Sequence, residues 1–149
     1  MGIRFYLNPD DVLAGVYAVV NGDAILKGSS YLNTTGLAVY TTRLPRDVGE
    51  RAILIEANPA ATVTMSQTYD FEIRIHSYVD LLPNGQINTV TNKISERCEQ
   101  LLNDTILSIV NATCRPMVSL APVPAYYDDE DSVDKGHAIL RLQVRVDPT

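Results

Sequence analysis

The sequence predicts an α+β fold: a mainly antiparallel sheet with a long amphipathic helix and a short N-terminal helix packed on one face. Three observations carry that expectation. The segments "YDFEIRIHSYVD" and "GHAILRLQVRVD" alternate apolar and polar residues with a period of two, as half-buried strands do. Between them, "QINTVTNKISERCEQLLNDTILSIVN" repeats its apolar residues at helical spacing. At 149 residues, with 46% hydrophobic and 20% charged residues, the chain has the composition and length of one globular domain with one core.

Each element has a local reason. In "NPDDVLAGVYAVVNGD" Asn8 suits the cap, Pro9 the first helical position, and Asp10 and Asp11 the positive end of the helix dipole. Val12, Val16, Val19 and Val20 share a helical face, and Asn21-Gly22 ends the helix. "DAILKG" adds a further helical turn. "LAVYTTRLP" (37–45) and "RAILIEANP" (51–59) read as strands, and the turn chemistry of "PRDVGE" between them predicts a hairpin. The nearly continuous Ala52-Ile53-Leu54-Ile55 predicts a central strand buried on both faces.

The third strand points Phe71, Ile73, Ile75, Ser77 and Val79 one way, and Asp70, Glu72, Arg74, His76 and Tyr78 the other. The helical stripe after it runs Ile87, Val90, Ile94, Cys98, Leu101, Leu102, Thr105, Ile106, Ile109. A helix of that extent spans on the order of 35 Å, enough to cover a sheet face. "CRPMVSLAPVPAYY" holds Pro116, Pro122 and Pro124, which restricts it to an edge or irregular strand. The last strand sets Ala138, Leu140, Leu142, Val144 and Val146 against His137, Ile139, Arg141, Gln143, Arg145 and Asp147. If the two long strands pair, Asp70 and Glu72 meet Arg141 and Arg145, and His76 can reach His137. A sheet face that carries such residues is wet or meets another protein.

Charge and motifs exclude several chemistries. A net charge of -6 argues against general nucleic-acid binding, which needs Lys and Arg in excess. No leader pattern opens the chain and no stretch approaches the length of a membrane span. Two cysteines without neighbouring histidines do not make a zinc site and read as reduced thiols. No Gly-x-Ser-x-Gly elbow or phosphate-cradling glycine loop occurs, so no catalytic residue, cofactor or metal ligand is assigned. The densest charge lies in "YYDDEDSVDKGH", with Asp128, Asp129, Glu130, Asp131 and Asp134 within seven positions. Consecutive acids lack the alternate-residue spacing of a calcium loop. They read as a solvated hairpin tip, or as a negative surface for a basic partner or a channel. Arg43, Arg46 and Arg51 cluster around the first predicted hairpin, diluted by Asp47 and Glu50. The candidate interaction residues are therefore Asp128, Asp129, Glu130, Asp131, Arg43, Arg46, Arg74, Arg141 and Arg145.

The order of elements resembles the tail terminator, or tail-completion, proteins of long-tailed bacteriophages. The resemblance rests on "AILIEA" as central strand, on "FEIRIHSYV" leading through a turn into "INTVTNKISERCEQLLNDTIL", and on the closing "ILRLQVRV" strand. The chain departs from that layout in its acidic insertion at Asp128 to Asp134 and its "MGIRFYL" lead. The resemblance implies a virion protein with no enzymatic activity. It implies a homo-oligomeric ring, usually of six subunits, that caps the tail tube and faces the head connector, with DNA passing through unread. A ring interface is heterologous, so one patch must match a different patch on the next copy. The alternatives are a head-closure or tail-tube protein of the same particle, and a small ligand-binding or regulatory α+β domain.

Overall fold

The computed structural model describes residues 9–27, 37–41, 51–59, 69–80, 87–109, 112–128 and 135–148. In chain order the elements are α1 (Pro9–Asn21), α2 (Ala24–Lys27), β1 (Ala38–Tyr40), β2 (Arg51–Pro59), β3 (Tyr69–Asp80) and α3 (Ile87–Leu102). They continue with β4 (Ser108–Ile109), β5 (Ala112–Cys114), β6 (Val118–Ser119), β7 (Val123–Asp128) and β8 (Lys135–Pro148). The fold is α+β, with one mixed sheet in the order β1-β2-β3-β8-β5-β4. β6 and β7 also pair with β8.

β3 and β8 form the spine. They pair antiparallel from Tyr69↔Val146 to Asp80↔Lys135 without a break in register. The predicted alternation is what appears. Phe71, Ile73, Ile75, Ser77 and Val79 are buried on one face, with Ala138, Leu140, Leu142, Val144 and Val146 beside them. A slip of one residue would turn this whole set to the other face, so burial itself fixes the register. Along its far edge β8 receives three short strands in turn: β5 at 146–148, β6 at 142–143 and β7 at 135–139. β7 pairs with β8 with a shift between Val123 and Tyr126, as an edge strand containing Pro124 would.

The helices cover the apolar face. α1 buries Val12, Val16 and Val20, and α3 buries Val90, Ile94, Cys98 and Leu102, all in one cluster with the sheet. Burying each such Val, Ile or Leu contributes about 1.5–3 kcal/mol. α1 ends where Gly22 N–H donates to Ala18 O at 3.1 Å. A Cβ at Gly22 would stand 2.9 Å from that carbonyl, so a larger residue would disturb the cap. α2 supplies the extra turn read from "DAILKG", with Leu26 buried.

Two expectations are corrected. α3 stops at Leu102 rather than running on to residue 111. Asp104 adopts a left-handed backbone (φ 61°), a conformation that Asp tolerates better than most residues. Its N–H then turns to Met117 O at 2.9 Å, and Thr105 O receives Met117 N–H at 3.0 Å. Thr105, Ile106 and Ile109 keep helical spacing in the sequence but lie outside the helix, and Ile106 is 63% exposed. The sixteen-residue helix spans about 24 Å, not 35 Å. The second correction concerns β1, which pairs parallel to β2 through Ala38↔Ala52, Val39↔Ile53 and Tyr40↔Leu54. Turn residues signal a change of direction but not which strand the returning chain joins, and parallel neighbours cannot form a tight hairpin. β2 is central as expected, between β1 and β3, with Ala52, Ile53, Leu54 and Ile55 all buried.

Candidate functional site

The face of the sheet away from the helices carries a ladder of polar side chains. Its positions follow from the strand period: every second residue of β2, β3 and β8 must point here. Arg145 grips Asp70 with both arms of its guanidinium, Nε to Oδ1 at 2.8 Å and an NH2 group to Oδ2 at 3.3 Å. The hydrogen bond to Asp70, then its charge, raises the Arg145 pKa above the usual arginine value. Arg74 and Arg141 stand directly opposite each other, an arrangement of like charges that would repel. Glu72 resolves it. Its Oε1 accepts from Arg141 Nε at 2.7 Å and from Arg74 Nε at 3.2 Å. The Arg141 hydrogen bond is the main reason the Glu72 carboxyl sits below the usual range, and the Arg74 bond adds to it. Arg115 donates to Asp147 at 3.1 Å beyond the end of β5.

At the other end of the ladder lies an aromatic and imidazole cluster. His76 Nδ1 and His137 Nε2 are 2.9 Å apart. His76 Nε2 reaches Glu56 Oε2 at 3.3 Å. Tyr78 stacks on His137 with ring centroids 4.3 Å apart. The contact between histidines is the one expected from their faces. The carboxylate beside them is not, because nothing in the sequence aligns Glu56 with His76 until β2 is registered against β3. Among the described residues no group of three or more His, Cys, Asp or Glu is arranged to hold a metal ion.

Arg74, Arg141 and Arg145 of the candidate interaction residues therefore sit together on one face, each engaged by a carboxylate. Asp128 closes β7, in register with Lys135 of β8. Asp129, Glu130, Asp131, Arg43 and Arg46 lie outside the described residues. A second pair with no signal in the sequence joins α3 to the start of α2. Arg97 leaves α3 and clamps Asp23 through Nε at 3.0 Å and NH2 at 2.8 Å. Asp23 also accepts the Leu26 N–H at 3.0 Å, capping α2. The Arg97 hydrogen bond holds the Asp23 carboxyl below its usual range. The partners are far apart in sequence, and no local pattern announces them.

Two further surfaces are grooves. A groove of about 580 Å³ lies between α1 and β1, lined by Asp10, Leu13, Ala14, Tyr17, Val39, Tyr40 and Thr41. A smaller one, about 260 Å³, opens on the polar face between Arg115, Pro116, Val118, Gln143 and Arg145. Both thiols are free and buried. Burial pushes Cys98 up to about 12, so it packs as a small apolar group.

No family model matches the sequence, and no curated protein does. Solved structures do share the fold. A chain of the virion of a native gene transfer agent particle superposes with a TM-score of 0.71 at 16% identity, over 95% of this chain and 98% of that one. A second solved chain superposes at 0.59 with 11% identity, over 95% and 96%. At these identities the likeness is one of fold, carried almost end to end in both chains.

Proposed function

We propose that the chain is a structural virion protein that forms the terminator ring of a long-tailed phage or phage-like particle. One observation carries the reading: the fold of nearly the whole chain is that of a subunit of a gene transfer agent virion. The order of elements in the sequence supports the finer assignment to a tail terminator. In this reading the protein works by presenting surfaces. Its polar sheet face is a neutral patchwork, with Glu56, Asp70, Glu72 and Asp147 set against Arg74, Arg115, Arg141 and Arg145 among the described residues. Copies of the chain close a ring on the last tube ring, and the opposite side of the ring receives the head connector. With a net charge of -6 per chain, such an assembly would repel DNA and let it slide through without being bound.

Electron microscopy of tail-tube protein polymerised with and without this protein tests the assignment. Capped, short tubes are expected when it is present. Unchanged tube lengths would remove the terminator role. Binding to connector rings but never to tube ends would favour the head-closure alternative. Replacing Asp128, Asp129, Glu130 and Asp131 by their amides separates the roles of the acidic stretch: lost docking marks a contact, and intact docking marks a solvated tip.

A further inference from the structure

The imidazole cluster has a property that its hydrogen bonds impose. His76 Nε2 faces a carboxylate, Glu56 Oε2, so this nitrogen carries the proton and donates it. His76 Nδ1 is then a bare lone pair, and it faces His137 Nε2 at 2.9 Å. His137 must supply the proton of that contact. The line Glu56–His76–His137 therefore crosses three strands, β2, β3 and β8, with one proton in each gap. The His76 side chain is 12% exposed and His137 is 6% exposed, with Tyr78 stacked against it. Neither ring can swing away freely.

We propose that the His76–His137 contact is an acid-sensitive latch on the β3–β8 ladder. One added proton fits. Placed on His137 Nδ1, or on His76 Nδ1 with a change of tautomer at His137, it leaves a single N–H between the rings. A second added proton puts N–H groups on both facing nitrogens, and the contact is lost. Among the described residues, other ionisable groups near the pair include Glu56 on β2, Tyr78 and Arg74 on β3, and Arg141 two positions beyond Ile139 on β8. On β7, Tyr126 is the register partner of His137. Glu56 sets a negative charge beside His76, while Arg74 and Arg141 add positive charge to the same face.

The unfolded chain binds two protons at these histidines in acid, and the folded chain with the latch closed binds one. The folded state thus binds fewer protons, so stability falls as pH drops through the ordinary histidine range. One proton of difference is worth about tenfold in the folding equilibrium per pH unit. The latched end of the ladder adjoins Gly136 and Lys135, where β8 follows the acidic stretch. Opening it loosens the β3–β8 pairing there, at Tyr78↔His137 and the pairs beyond.

Urea unfolding of the wild type and of His76→Gln between pH 7.5 and 5 tests the latch. Glutamine can still accept from His137 but takes up no proton. The wild type is expected to lose about tenfold more in its folding equilibrium constant than the variant over this range. Parallel pH profiles would overturn the proposal. Proton NMR of the wild type gives a readout that needs no variant. Loss of native shifts around His137 as the second ring protonates supports the latch. Two fully protonated rings in an undisturbed native spectrum at pH 5 would contradict it.

Discussion

The β3–β8 ladder and the β1 edge belong to one sheet but are held in different ways. The ladder runs from Tyr69↔Val146 to Asp80↔Lys135, with a continuous apolar face and paired charges on the other. β1 contributes three residues, Ala38 to Tyr40, parallel to β2, beside an open groove. In the ladder each residue is fixed twice, by its cross-strand partner and by the helices or ions on its face. In β1 the apolar Val39 is the main anchor, and it sits at the rim of the core. Stability is therefore concentrated in the spine rather than at the β1 edge.

The largest expected effect tests that concentration. Ile75→Ala, fully buried at the centre of the spine, is expected to cost about 3–4 kcal/mol in urea unfolding, against about 1–2 kcal/mol for Val39→Ala. Equal losses would break the contrast. Next is the clamp between α2 and α3. Asp23→Ala removes a cap and both arms of the Arg97 fork, and about 2 kcal/mol should be lost. The same variant sharpens the pH behaviour. Asp23 and Glu72 are both depressed, so their contribution is complete above the ordinary carboxylate range and is lost as pH falls below about 4. Thermal melts of Asp23→Ala should show a flatter acid limb than the wild type.

Smaller effects come from a polar misfit in the spine and from its surface ions. Ser77 faces the core opposite Ala138, and its hydroxyl has no hydrogen-bond partner among the described residues. Ser77→Ala should stabilise the protein by up to about 1 kcal/mol. A loss instead would reveal a partner for that hydroxyl. Glu72→Gln leaves Arg74 facing Arg141 with a weaker mediator, yet these groups are partly solvated, so a change under about 1 kcal/mol is expected, shrinking further with added salt.

The same contrast explains what the sequence could reveal. The spine was legible because period two repeats over a dozen residues of β3, and the ion pairs followed once β3 and β8 were set side by side. The end of α3 was not, because Thr105, Ile106 and Ile109 continue its spacing while the decision rests on the backbone of one residue, Asp104. The direction of β1 was hidden because turn composition is silent about partners. Asp23–Arg97 and Glu56–His76 depend on tertiary register, and each residue taken singly looks like ordinary surface charge. Of the candidate site, the arginine ladder could be read from the strand faces, whereas the carboxylate end of the histidine line could not.

Native mass spectrometry of the purified protein, alone and mixed with tail-tube protein, bears most directly on the claim that this chain acts through contacts with its own copies and with neighbours. A closed ring, six subunits in the terminator reading, that remains on tube ends is the predicted result. A strict monomer at every concentration, indifferent to tube ends, would contradict the account.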